Sequence, residues 1–272
     1  MCNLNFISCL LMAVQLLVAP LSWGGPYPPA VDDAGSHAIS MDDPALISWA
    51  TGYRDYVAGD NVDETWQVPE NGLGRAEGTS FDIVALGSGG SITLTFDPPV
   101  ENGAGWDFVV FENSFSDQYL ELAYVEVSSN GIDFIRFDSI SLTVNPVPGF
   151  GNIDPTDVDG LAGKYRQGFG TPFDLEMLVG KPGLLAGDVD LSMISHIRIV
   201  DVVGDGSFLD SRDEIIYDPY PTAGSAGFDL DAVGVSNGAP YPAGVYIPPE
   251  LPQEDGDAGF DDGTGCFVTT IQ

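Results

Sequence analysis

The sequence predicts an all-β protein, a β-sandwich of jelly-roll type with one or two short helices and long acidic loops. Two observations carry that expectation. From residue 81 onward, short runs rich in β-branched and aromatic residues alternate with Gly, Pro and Asn-Gly turns. Few stretches read as helix, and strands with tight turns and few helices fold as sandwiches or barrels.

The elements follow in chain order. Residues 1–24 read as a secretory signal peptide, an apolar run ending in small residues with Ser22-Trp23-Gly24 at the cut site. That run is short for a spanning helix and Pro20 interrupts it. No later stretch is long enough to cross a bilayer, so no membrane span is expected in the mature chain. Residues 25–80 are rich in Pro, Gly, Asp and aromatics and are expected to form an irregular segment packed on the sandwich. Within it, Asp43 as N-cap and Pro44 at the first helical position predict a short helix.

Residues 81–238 are expected to hold the sandwich. "FDIVAL", a Gly-Ser-Gly-Gly link and "SITLTFD" read as a hairpin, and "WDFVVFEN" is apolar on both faces, as in a central strand. "LELAYVEVSSNGIDFIRF" gives two strands joined at Asn130-Gly131, the strongest short hairpin signal in the chain. Residues 147–170 form a long turn-rich connection, which in a compact domain is usually functional or ordered by metal. "TPFDLEMLVG" predicts one short helix, and "MISHIRIVDVV" and "FDLDAVGV" two further strands. Residues 239–272, Pro-rich and then acidic and Gly-rich, read as an extended tail.

Composition narrows the partners. Against 41 acidic residues stand eight basic ones, a net charge of −33. Such a surface repels phosphate backbones, so no nucleic-acid partner is expected. Cys2 and Cys9 would leave with the signal peptide, and Cys266 alone cannot close a disulfide. One mature cysteine and two histidines, His37 and His196, cannot build a closed zinc site.

The chemistry-bearing pattern is a set of carboxylates placed where strand alternation predicts burial. Asp229 and Asp231 are expected to share a face with Val233 and Val235. Asp201 continues the stripe of Ile197 and Ile199, and Glu112 that of Trp106, Phe108 and Val110. Ionised carboxylates in a core cost several kcal/mol unless compensated. Eight basic residues cannot pair with all of them, whereas a calcium ion gathers six to eight oxygen ligands. Glu112, Asp201, Asp229 and Asp231 are therefore expected to meet near strand ends and bind Ca2+, unless they lie past the core edge in water. Asp154, Asp157 and Asp159 in "NIDPTDVDG" form a second candidate calcium loop without EF-hand spacing. The alternative there is an Asp-rich turn that caps its own backbone.

Ligand-binding candidates are the aromatics of the N-terminal segment, Trp49, Tyr53 and Trp66, as a stacking platform for sugar rings or a planar ligand. The alternative is that these side chains fold back and cover one sheet. Lys164 and Arg166, rare cations, would orient an acidic or polar ligand or neutralise nearby aspartates.

"VEVSSNGIDFIRF" resembles the strand–turn–strand of discoidin-like and carbohydrate-binding jelly rolls. Together with "LGSGGSITLTFDPPVENGAGWDFVVFENSF", "IDPTDVDGLAGKYRQGFGTPFDLEML", "IRIVDVVGDG" and "GFDLDAVGV", it resembles an uncharacterised group of bacterial secreted or cell-surface proteins, many with C-terminal sorting signals. "GCFVTT" is similar to a Gly-Cys-Phe run near the C-termini of some surface proteins. The resemblance implies export and a sandwich without established catalytic activity, with corrinoid binding as one further option.

The expected function is an exported, calcium-stabilised, non-catalytic module that binds an extracellular glycan or another surface component. A structural or adhesion module of the cell surface stands as one alternative. A secreted hydrolase using paired carboxylates stands as another.

Overall fold

The computed structural model describes residues 24–238; the expected signal peptide and acidic tail lie outside the described residues except for Gly24. The strands in chain order are β1 (Ile39–Ser40), β2 (Ser48–Trp49), β3 (Gly52–Val57), β4 (Val84–Ala85), β5 (Ser91–Val100), β6 (Phe108–Glu112), β7 (Ala123–Ser128), β8 (Ile135–Arg136), β9 (Ile140–Ser141), β10 (Val147–Pro148), β11 (Val158–Asp159), β12 (Phe169–Phe173), β13 (Ile194–Asp201), β14 (Pro219–Tyr220) and β15 (Asp229–Val235). Eleven of them build two antiparallel sheets. One sheet runs β1-β12-β6-β15-β2, with β4 also on β15, and the other runs β3-β5-β13-β7-β8. The protein is an all-β sandwich with short helices. Among the described residues no helix is long and apolar enough to cross a membrane.

The main core lies between the sheets. Phe108 and Val110 of β6, with Leu230, Val233 and Val235 of β15, belong to one buried cluster with Ile92 and Leu94 of β5, Val125 and Val127 of β7, and Ile197 and Ile199 of β13. Each fully buried Ile, Leu or Phe stabilises by about 1.5–3 kcal/mol. The other face of β6 is covered as well. Val109 and Phe111 pack with Ala76 and Ala232 beneath Trp49, Trp106, Ile39 and Leu46, which is why "FVVF" is apolar throughout.

The Asn130-Gly131 turn joins β7 to β8 as expected. Asn130 Oδ1 accepts from the Ile132 and Asp133 amides, and Gly131 takes φ +72°. Other expectations are corrected. Residues 25–80 are more regular than expected: they supply β1, β2 and β3, edge strands of both sheets, while Ile39, Leu46, Trp49 and Ala76 of the same segment pack over β6. No helix follows Asp43. Its Oδ1 accepts from the Ala45 amide in a turn, and the chain then pairs Ser48–Trp49 with β15. Ladder bonds along β15 outweigh local helix propensity there. β4 and β5 do not form a hairpin, because β4 pairs with β15 in one sheet while β5 enters the other. With β6 on one side, β15 leaves its other side to β4 at one end and β2 at the other. "TPFDLEMLVG" divides between the end of β12 and a 3-10 turn, Leu175–Leu178, capped by Asp174. A five-residue α-helix, Pro182–Ala186, has no counterpart in the sequence expectation.

The paired aspartates receive the most informative correction. The register of β15 against β6 shifts between Leu230 and Ala232, a bulge that opposes two residues to one. Phe228 and Leu230 before it and Val233 and Val235 after it all belong to the main core. Alternation therefore changes phase at the bulge, and Asp229 and Asp231 do not share the face of Val233 and Val235.

Candidate functional site

Five carboxylates meet at one end of the sandwich. Glu112 is the last residue of β6, Asp201 the last of β13, and Asp229 the first of β15. Glu121 stands two residues before β7, and Asp218 directly precedes β14. Three of them continue core stripes at the strand ends, Glu112 and Asp201 as final strand residues and Glu121 just before β7. Glu112 continues Phe108 and Val110, Asp201 continues Ile197 and Ile199, and Glu121 leads into Ala123, Val125 and Val127. Residues close to them in sequence, Leu120, Leu122, Val202 and Ile216, belong to a second buried apolar cluster. None of the five carboxylates exposes more than 4% of its surface.

Burial is the largest cause of a raised proton affinity in all five, and neighbouring acids add to it in four of them. Burial, then Glu121, Asp229 and Asp218, holds the Glu112 carboxyl well above the usual carboxylate range. Glu121 is raised in the same way by burial, Asp229 and Asp201, and Asp218 by burial, Asp201 and Glu121. Asp229 is pushed up to about 8 by burial and the nearby Asp201. Asp201 is pushed up to about 7 by burial, although two backbone amides hold it down.

Those amides are part of how the fold aims the groups. Asp201 accepts from the Gly89 amide at 2.8 Å and the Phe228 amide at 2.7 Å. Gly227, at φ +69°, lies so close that a Cβ there would meet Asp201 Oδ1 at 2.6 Å and the Gly87 carbonyl oxygen at 2.8 Å. Asp218 accepts from the Leu122 amide at 2.5 Å and Glu112 from the Ser114 amide at 2.8 Å.

Two facts define what the arrangement can hold. None of the ion pairs among the described residues involves any of the five. Three buried oxygens in the same region have no hydrogen-bond partner: Glu121 Oε1, Asp229 Oδ1 and the neighbouring Asn113 Oδ1. Buried acceptors without donors cost roughly 1–3 kcal/mol each, more when charged. Carboxylate and amide oxygens in this number suit a hard cation such as calcium. Among the described residues no three His, Cys, Asp or Glu side chains stand in ready-made metal geometry.

The other sequence candidates lie elsewhere. Asp231 accepts from the Glu77 and Gly78 amides, and the charges beside it are Asp82 and Glu77. Asp154 caps the 3-10 turn Pro155–Asp157 by accepting from the Thr156 amide and hydroxyl. Asp157 is held up by its partial burial and by Asp154. Asp159 and Asp154 flank the buried Lys164, whose Nζ donates to the Val158 carbonyl at 2.6 Å. Arg166 pairs with Asp32 and Asp117.

Trp49 packs on Phe111, and the Tyr53 hydroxyl donates to Glu70. Trp66 stacks on the exposed Phe81. Trp49 and Tyr53 belong to different sheets. A different aromatic set lies near the acids: Phe115 stacks on Tyr119, and Tyr119 on Phe150. Phe115 and Phe150 are exposed, and the Tyr119 hydroxyl hydrogen-bonds Glu121.

Glu121, Asp218 and Asn113 escape the sequence reading. For Glu121 the signal was present, since it shares alternation with Ala123, Val125 and Val127 as Asp201 does with its isoleucines. Asp218 lies outside regular strand, where alternation has nothing to say. Comparison with protein-family models, with curated proteins and with solved structures finds no match for the chain.

Proposed function

We propose that the protein is a calcium-stabilised, non-catalytic binding module that works outside the cell. The observation that carries this reading is the buried group of five carboxylates with no cationic side chain paired to it and with unpartnered oxygens inside it. Left ionised and alone, such a group would oppose folding by several kcal/mol per charge. A divalent ion supplies the missing positive charge and satisfies Glu121 Oε1, Asp229 Oδ1 and Asn113 Oδ1. The ligand is a glycan or another surface component. Phe115, Tyr119 and Phe150 would offer ring faces to the C–H faces of a sugar, tied to the metal through the Tyr119–Glu121 hydrogen bond.

Thermal melts with calcium and with EDTA test the metal. Calcium at a hundredfold excess over its Kd adds about 2.7 kcal/mol, so the melting temperature should rise by roughly 5–10 °C for a chain of this size. An unchanged melt removes the reading. A glycan array probed with the calcium-loaded protein and with Tyr119→Ala then tests the ligand class.

A further inference from the structure

At the end of β6 opposite Glu112 lies a cavity of about 470 Å³. Its walls are apolar: Ile39, Trp106, Phe137, Pro172, Phe173 and Met177. Phe137 meets the edge of Phe173 at 5.0 Å, and both are buried, which fixes the floor. Around this floor stand three carboxylates, Asp138, Asp159 and Asp174, while no Lys or Arg lines the cavity and His37 is its one basic side chain. Asp138 is already paired with Lys181 at 2.7 Å, and Asp159 shares the charge of the buried Lys164 without a direct ion pair, so Asp174 is the wall carboxylate with no cation beside it among the described ion pairs. Asp174 accepts from the Glu176 amide, which holds its carboxylate in place through one oxygen, Oδ1.

We propose that this cavity binds a small organic cation with an apolar body, an ammonium group carried on an aromatic or branched aliphatic frame. The volume lies within the range of small-molecule sites. The body would rest on Trp106, Phe137 and Phe173, and the ammonium would face Asp159 and Asp174, with the Trp106 ring adding a cation–π contact. An anionic ligand meets Asp174, which has no cationic partner among the described ion pairs, with Asp159 beside it, and is repelled. A sugar presents hydroxyls on every side, and those facing Ile39, Phe137, Pro172 and Phe173 would lose water without gaining a partner. The net charge of −33 raises the local concentration of cations around the whole molecule. This site is independent of the calcium reading.

Calorimetry on the full chain at pH 7 and low salt compares 2-phenylethylamine, charged at that pH, with 2-phenylethanol, its neutral counterpart. The amine is expected to bind at least tenfold tighter than the alcohol, and the preference should shrink in high salt. The double variant Asp159→Asn/Asp174→Asn, in which Asn can still cap the 3-10 turn, should bring the two ligands within about twofold. Equal binding by the wild-type chain, or binding of neither compound, overturns the proposal. Because the amine–alcohol comparison uses the wild-type chain, it stands even if the double variant fails to fold.

Discussion

Two acid-rich regions of this chain solve the same electrostatic problem in different ways. In the 154–159 turn, Asp154, Asp157 and Asp159 crowd into six residues, yet the fold places a buried lysine among them. Lys164 brings a positive charge to Asp154 and Asp159 and spends one hydrogen bond on Val158. At the strand ends, Glu112, Glu121, Asp201, Asp218 and Asp229 come from five separate segments, and none is ion-paired to a cationic side chain among the described residues. Density of acids along the sequence is therefore a poor guide to which carboxylates lack a cationic neighbour in the fold.

Four substitutions sharpen that contrast, in falling order of effect. Gly227→Ala forces a Cβ toward Asp201 at a positive φ, so the fold should lose about 3 kcal/mol or more by urea unfolding. A wild-type unfolding curve would mean the approach to Asp201 is slack. The double change Glu121→Gln/Asp229→Asn should cut the calcium-induced rise in melting temperature by more than half. The same variant should melt higher than wild type in EDTA, because two raised carboxyls are then permanently neutral. An undiminished calcium response would place the ion elsewhere.

Lys164→Met should cost about 1–3 kcal/mol through the orphaned Val158 carbonyl and the uncompensated aspartates, and leave the calcium response intact. Burial depresses the Lys164 ammonium to about 8, below its unfolded value of 10.5, against the pull of Asp159 and Asp154. Between these pH values the unfolded chain holds the extra proton, so this group makes the fold more stable as pH rises from 8 to 10. The wild-type minus variant stability, measured by urea unfolding at several pH values, should show that rise. Asp231→Asn is the smallest: about 1 kcal/mol from weakened bonds to the Glu77 and Gly78 amides, with calcium behaviour unchanged.

Much of this was legible in the chain. The central position of β6 follows from a run apolar on both faces, and the β7–β8 turn from Asn130-Gly131. The burial of Glu112 and Asp201 was legible because alternation carries them into core stripes. Asp231 misled because a bulge changes the phase within β15, and nothing in "FDLDAVGV" announces it. The helix expected after Asp43 yielded to ladder bonds from a strand nearly two hundred residues later, a competition that local propensity cannot register. Lys164 shows the remaining gap: counting eight basic residues excludes pairing in general but says nothing about which acids receive one.

Three of the four sheet edges, β1, β2 and β3, come from residues 39–57, and two of these pair with β12 and β15 in the last third of the described chain. β3 can pair early with β5, but β1 waits for β12 and β2 for β15, the last strand of the described chain. Folding must wait on contacts of very long sequence separation, which makes it slow. The molecule is in effect laced shut at its rim, so nicking the chain between 57 and 84 would loosen both layers at once rather than shed a terminal appendage.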